Sequence, residues 1–418
     1  MDWSTKYMKR GITAPREVLS ELREDFSLCG KCKLCQAVMA QQCEEPRFWR
    51  NCPSGTRFRY EAYYAPGKLE IARCLDLVEI EPDDRMRHAL YTCMLCGSCD
   101  DRCYPVKQLH PMWVIQLLRE QAVQDEWAPM EHFREMLGNI EKTDNPYGVP
   151  AEKRVQWEEG LDIKNALDEK VEHLLFVGDD YGSFPELAHR MKAVAKVLEA
   201  GGVDFGTLGA GEVGSGSALL MIGDRDYFET LAAANVEKIE ESGTGKVITA
   251  DPHAYTVLKE EYTKAIDIEV YHFSEIAAGL ISEGKLKPSS EVKAKAVYHD
   301  PCRLGRRRGV FDAPRKVLEA IPGLELLEFE RNLKNSLCCG GGGSVFFWEP
   351  EYTRLVTNER LFEADFVGAD AIVTSCPICV RMFESAAGEG KYKLDIYDLA
   401  QLVEKSLETG GFSCQRAG

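Results

Sequence analysis

The sequence predicts a multidomain chain in which an α-helical, cysteine-rich domain precedes two α/β units that repeat one another. Three observations predict it. Ten of the sixteen cysteines fall within the first 125 residues, among short stretches of helical period. From residue 171 onward, apolar strand-like runs alternate with amphipathic helical ones. Within that alternating region, one spacing of marker residues occurs twice.

Residues 1–125 form the first domain, closed by the run Met112 to Val123, whose apolar positions recur with helical period. Residues 126–170 are polar, contain Pro146 and Pro150, and are expected to be a connector. Leu174 to Val177 is an apolar strand, and Glu186 to Ala200 a helix stopped by Gly201 and Gly202. Lys246 to Ala250, Ala296 to His299 and Ala371 to Ser375 are further strands, with a shorter one at Val203 to Leu208. Such alternation predicts α/β layers with largely parallel pairing. The two units span 171–292 and 293–408, and 409–418 is a tail.

The second unit carries Cys302, then Cys338, Cys339 and Gly340, then Cys376 and Cys379, with 36 residues from Cys302 to Cys338 and 36 from Gly340 to Cys376. The first unit has Asp179, Gly214 to Gly216, and Asp251 to Ala254, with both corresponding steps 35 residues long. A proline follows the last marker in each, Pro252 and Pro377. All five cysteines of the second copy are missing from the first, as expected of a metal site lost as a whole.

The net charge of −17 makes nucleic acid and anionic lipid poor partners, and a basic face on another protein a better one. The start of the chain lacks an apolar stretch followed by small residues, and no run of 18 apolar residues occurs. A cytoplasmic location is therefore expected, with any membrane reached through a partner subunit. In that setting clustered cysteines are metal ligands rather than disulfides.

Cys93, Cys96, Cys99 and Cys103 follow C-x2-C-x2-C-x3-C, the pitch at which three cysteines wrap a cubane [4Fe–4S] cluster while the fourth crosses to a second one. The usual proline is displaced by one, to Pro105. Cys29, Cys32 and Cys35 repeat the triplet. Its crossing cysteine is Cys52, which precedes Pro53, or Cys43. The expected ligand sets are Cys29, Cys32, Cys35 and Cys103 for one cubane, and Cys93, Cys96, Cys99 and Cys52 for the other. A zinc knuckle would use the first C-x2-C but not the third cysteine. Cys74 and Cys414 lack companions and are ordinary thiols. The stretch between Cys52 and Cys93 is too long for the small β-hairpin ferredoxin and predicts a helical one.

In the second unit, adjacent Cys338 and Cys339 suit a multi-iron cluster better than a single tetrahedral metal. Gly340 to Gly343 would let the backbone pass close to it. Arg303, Arg306, Arg307 and Arg308 would either offset the charge of thiolates and sulfides or form a solvated basic patch that docks an anionic group.

This C-x35-CCG-x35-C-P-x-C arrangement resembles the CCG domain of heterodisulfide reductases. The whole chain from about 25 to 405 resembles the D-type subunit of those enzymes and related iron–sulfur oxidoreductases. The resemblance implies an α-helical ferredoxin domain followed by two α/β CCG-type pseudo-repeats. It also implies a noncubane [4Fe–4S] cluster on Cys302, Cys338, Cys339, Cys376 and Cys379. The first repeat departs from the family pattern, which puts heterodisulfide reduction with two such clusters in doubt. Two functions follow. One is an electron relay within a complex, partnered by a flavoprotein or quinone-linked subunit. The other is a thiol/disulfide reductase acting at Cys302, Cys338 and Cys339. A zinc-stabilised scaffold is a weaker third.

Gly209, Gly211 and Gly214 match G-x-G-x-x-G, but the repeat explains them better than a dinucleotide does. Gly243 to Lys246 lacks the Walker spacing. Asp179, Asp251 and His253 are expected to be solvated remnants rather than a replacement metal site.

Overall fold

The computed structural model describes residues 22–38, 43–407 and 412–413; Cys414 lies outside them. Among the described residues, the cysteine-rich domain has six α-helices: α1 Arg23–Ser27, α2 Pro53–Phe58, α3 Ala65–Asp76, α4 Asp84–Tyr91, α5 Ser98–Lys107 and α6 Pro111–Gln124. Prolines in the first turns of α2, α3 and α6 remove amides that would have no partner there. Asp83 caps α4 by accepting from the Met86 amide at 2.8 Å. α6 is buried continuously from Pro111 to Ala122, so it is a central element rather than an amphipathic surface helix.

The segment 126–170, expected to be a connector, is itself folded. It contains α7 Arg134–Thr143 and the short strand β1 Lys164–Asn165, which pairs with β3 at the edge of the first sheet. Its prolines had suggested a linker, but Phe133, Met136, Ile140 and Trp157 are buried and hold it in place.

The first unit contains β2 His173–Phe176, β3 Phe205–Thr207, β4 Lys246–Thr249 and β5 Glu269–His272. Its main helices are α8 Ala188–Ala200, α9 Ser217–Ile222, α10 Arg225–Ser242, α11 Pro252–Glu260 and α12 Phe273–Ser282. The second contains β6 Val292–His299, β7 Leu324–Leu327, β8 Ala371–Thr374 and β9 Asp395–Asp398, with α13 Asp312–Glu319, α14 Pro350–Phe366, α15 Pro377–Ala387 and α16 Leu399–Leu407. Among the described residues, every strand pairing within the two units is parallel. The orders β3-β2-β4-β5 and β7-β6-β8-β9 are the same, which is the internal repeat seen in three dimensions. β10 Phe412–Ser413 pairs with the first residues of β6.

Central strands such as β8 are buried at every position, as a sheet covered on both faces requires. One hydrophobic core joins the two units, with Leu175, Val194 and Ile248 of the first sharing a cluster with Val297, Ile372 and Val403 of the second. A second core joins α6, through Val114 and Leu118, to the other face of the first sheet at Leu174 and Phe176. Markers of both repeats thus leave the carboxyl ends of strands, where open α/β sheets bind ligands.

Candidate functional site

In the second unit, Cys302 follows β6, Cys338 and Cys339 lie in the loop leading to α14, and Cys376 caps α15 with Cys379 in its first turn. These five thiols form one chain of contacts: Cys302 with Cys338, Cys338 with Cys339, Cys339 with Cys379, and Cys379 with Cys376. All but the half-buried Cys302 are buried. Contact with Cys338 and burial hold the Cys302 thiol well above its usual range, and burial does the same for Cys379. Cys339 is drawn down to about 6 by contacts from Cys338 and Cys379. Thiols so placed repel each other once ionised, and a metal that accepts several thiolates resolves the conflict. The donor set therefore fits a multi-iron cluster.

Sequence reasoning missed His299, at the end of β6. One ligand atom each from His299, Cys339 and Cys379 lies within 4.8 Å of the others. The imidazole Nδ1 accepts from Arg360 Nε at 3.2 Å, and Arg360 is itself locked to Glu363 at 2.7 Å. Only its place at a strand end beside Asp300 and Pro301 hinted at this.

The amides of Gly340 and Gly341 approach the sulfurs of Cys338 and Cys339 at 3.5 and 3.4 Å, and the glycine run also serves neighbours the sequence did not suggest. A Cβ on Gly342 or Gly343 would collide with the backbone carbonyls of Met94 and Cys93, and one on Gly340 would come within 2.6 Å of Thr357 Oγ1. The run lets the CCG loop press against the loop at Cys93 and Met94 on one side and α14 on the other.

The other cysteines form two groups. Cys103 lies within electrostatic reach of Cys29 and Cys32, and Cys35 within reach of Cys103, Cys29 and Cys32. Cys52 is influenced by Cys93, and Cys99 by Cys93 and Cys96. Cys35 is also reached by Cys52, and Cys99 by Cys35, so the groups adjoin. Burial pushes Cys35, Cys96 and Cys103 up to about 12. Cys43 joins neither group. It is buried with Val38 and Phe48 and donates to the Glu330 carbonyl at 3.6 Å. Cys74 sits on α3 beside Arg73, apart from other cysteines. Lys68, buried on α3, donates to Ser54 Oγ at 3.1 Å and to the Tyr63 carbonyl, and its charge reaches Cys52. A lone lysine in an amphipathic helix gave no sequence signal of this.

Arg119 on α6 ties the groups to the CCG site. Fully buried, it donates to the carbonyls of Leu90 at 2.8 Å, Cys93 at 2.6 Å, Met221 at 2.6 Å and Gly343 at 3.2 Å. Cys96 and Cys302 line one cavity of about 380 Å³. The arginines after Cys302 line it too, and they are not a solvated patch. Arg306 Nε donates to the Cys96 carbonyl at 2.8 Å, and Arg307 and Arg308 share Glu260.

In the first unit the corresponding residues are buried, contrary to the expectation of solvated acids, because hydrogen bonds replace water. Ser215 Oγ donates to Asp179 Oδ2 at 2.5 Å and the Ser215 amide to Oδ1 at 3.1 Å. Glu212 accepts from the amides of Val177 and Gly178 at 2.9 and 2.8 Å. Asp251 caps α11 through the His253 amide at 2.8 Å, at the position Cys376 takes before α15. Burial pushes Asp179 up to about 6 and Glu212 up to about 7, and pulls His253 down to about 3. The Gly214 amide bonds to the Asp144 carbonyl at 2.7 Å, so this stretch is not a free phosphate-binding turn.

Residues 184–259 and 296–384 match the cysteine-rich domain family called CCG. The chain is 32% identical over 354 residues to the "Probable iron-sulfur-binding oxidoreductase FadF" of Bacillus subtilis, covering 82% of this chain and 50% of that protein. It is 33% identical over 337 residues to the "EtfAB:quinone oxidoreductase" of Syntrophomonas wolfei, covering 76% of this chain and 46% of that one. It is 31% identical over 334 residues to the D-type subunit of the "Dihydromethanophenazine:CoB--CoM heterodisulfide reductase" of Methanosarcina mazei, covering 78% and 79%. The chain thus spans about half the length of the first two relatives. A crystal structure of a hypothetical protein from Helicobacter pylori shares the fold, with a TM-score of 0.53 at 13% identity, covering 83% of this chain and 68% of that one. Among the described residues, no helix is long and apolar enough to cross a membrane.

Proposed function

The chain belongs to the family of the heterodisulfide reductase D-type subunit and its iron–sulfur oxidoreductase relatives, and from that premise we propose that it is an electron-relay subunit. In this reading Cys29, Cys32, Cys35 and Cys103 hold one cubane, and Cys52, Cys93, Cys96 and Cys99 hold the second. Cys302, Cys338, Cys339, Cys376 and Cys379 hold a third, noncubane [4Fe–4S] cluster. Such clusters supply one-electron redox chemistry.

The observation that carries the reading is contiguity. The Cys93–Cys96 loop lies directly on Gly342 and Gly343, and Arg119 pins both through their carbonyls. Lys68 places positive charge by Cys52, and Arg306 grips the loop at Cys96 while lining the cavity with Cys302. Cys32 is exposed, which gives the first cubane a surface edge for a partner. A relative named for EtfAB and quinone supports a flavoprotein or quinone-linked subunit as that partner.

A thiol/disulfide reductase is the second reading, favoured by one observation: Cys302 opens to the cavity while Cys338 and Cys339 are buried. Iron, sulfide and zinc content with EPR on protein purified without oxygen tests both. The relay predicts about twelve irons, of which about four disappear in Cys338→Ala/Cys339→Ala with both cubane signals kept. A count of about eight that the variant leaves unchanged removes the third cluster, and zinc in place of iron removes the relay. A thiol-sensitive EPR signal in the intact protein moves the conclusion to the reductase.

A further inference from the structure

The two cysteine sets of the N-terminal domain differ in the charge around them. The outer set, Cys29, Cys32, Cys35 and Cys103, has solvated or occupied cations beside it. Exposed Lys31 pairs with Glu70 at 3.1 Å, and exposed Lys33 with Glu61 at 3.8 Å. Lys107, also exposed, reaches Cys103. Arg102 lies near, but turns its guanidinium to the Ala37 carbonyl and to Asn335. Water and salt screen such charges.

The inner set, Cys52, Cys93, Cys96 and Cys99, has buried cations. Arg119 donates to the Cys93 carbonyl at 2.6 Å and Arg306 to the Cys96 carbonyl at 2.8 Å. Asp101 faces Arg306, and Asp100 reaches Cys99 and Cys103 alike, so it does not set the two groups apart. Lys68 does. It is 1% exposed, and no other lysine among the described residues is buried. Its ammonium donates to Ser54 Oγ at 3.1 Å and to the Tyr63 carbonyl. Cys52 Sγ lies 3.9 Å from each of those same two oxygens. Among the described residues, no carboxylate pairs with Lys68. A buried ammonium is costly unless a negative charge answers it. Burial disfavours the charged form of Cys52, and Lys68 favours it.

We propose that Lys68 is the buried counter-cation of the inner cubane and holds its potential above that of the outer one, so that the relay runs inward from Cys32. Reduction adds one negative charge to a cluster, and a fixed cation in low-dielectric surroundings favours that state. An electron handed to the outer cubane by the partner subunit then passes inward. The outer cubane is reoxidised, the inner one is reduced by one electron, and no bond or proton moves. The inference rests on the proposed function for the existence of the two cubanes and adds their order.

The test is EPR-monitored redox titration of the anaerobic, iron-replete full chain, with the signals assigned by Cys32→Ser, which alters the outer one. In wild type the inner midpoint should be the higher. Lys68→Met should disfavour reduction of the inner cubane at least ten-fold, a fall of about 59 mV for one electron, with the outer midpoint unmoved. Lys68→Arg, which keeps the charge, should stay near wild type, and Lys33→Met should leave the inner midpoint in place. If Lys68→Met loses iron, Lys68→Gln carries the test, and the wild-type order of midpoints decides without any variant. An outer midpoint above the inner one in wild type, or an unmoved inner midpoint in the iron-replete Lys68 variant, overturns the proposal while leaving the relay intact. Fewer than two cubane signals in wild type removes the proposed function itself, and this order with it.

Discussion

The two α/β repeats have the same strand order and the same proline-led helix after the fourth marker, yet they close the same loops by different means. In the second, five thiols converge and touch one another. In the first, Asp179 replaces Cys302, Ser215 replaces Cys339 and Asp251 replaces Cys376, and hydrogen bonds join what the thiols would leave to a metal. The comparison teaches that a degenerate repeat is not a vacant one. Its loops are tied by buried carboxylates, and burial raises Asp179 to about 6 and Glu212 to about 7.

The strongest way to break this comparison is to restore the cysteines. A variant combining Asp179→Cys, Gly214→Cys, Ser215→Cys, Asp251→Cys and Ala254→Cys should gain no iron and should lose several kcal/mol of stability. The reason is local. A Cβ on Gly214 would lie 2.8 Å from the Asp144 carbonyl oxygen, so the loop cannot take the second repeat's path. Four additional irons by elemental analysis would show that the cysteines alone separate the repeats.

On the intact side, Arg360→Met should cost about 3–5 kcal/mol in denaturant unfolding, because it strips one partner from the buried Arg331–Glu363–Arg360 triad. It also frees His299, so the EPR signal of the CCG site should change while the cubane signals do not.

The closed side makes a pH prediction. Glu212 is raised in the folded state to about 7 from an unfolded value near 4.5. The folded protein therefore holds this proton more tightly. Its contribution is fully present below the unfolded value and is lost as pH rises through 7, a total on the order of 3 kcal/mol. Glu212→Gln should flatten the fall in melting temperature between pH 6 and 8.5, and an unaltered slope would show that Glu212 is charged throughout. The smallest effect belongs to Ser215→Ala, about 1–2 kcal/mol for one lost hydrogen bond to Asp179, with iron content unchanged.

The repeat was legible in the sequence because strand-end markers at fixed spacing survive the loss of the residues' chemistry. Parallel pairing, and helices such as α6 and α8, were legible through periodicity. Cys43 and Cys52 were separable only by the following proline, and the structure sets Cys43 against Phe48 and Glu330, away from both triplets. Burial of Asp179 and Asp251 was not legible, because the hydrogen-bond partners that make it tolerable, Ser215 and a helix start, become neighbours only after folding. The same holds for His299, Lys68 and Arg119, each a single residue in an ordinary element whose partners lie elsewhere in the chain. The segment 126–170 misled because prolines and polar residues dominate it, while buried apolar side chains, Phe133, Met136, Ile140 and Trp157 among them, decide its fate.

Arg119 also imposes an order of manufacture. Its four acceptors come from residues 90, 93, 221 and 343, so the last arrives some 220 residues after the arginine itself has left the ribosome. The N-terminal domain can collapse during synthesis, but the loop at Cys93 gains its final support only when Gly343 docks. Under the proposed function, that loop reaches its finished form as a cluster site only after residue 343 has been made and has docked.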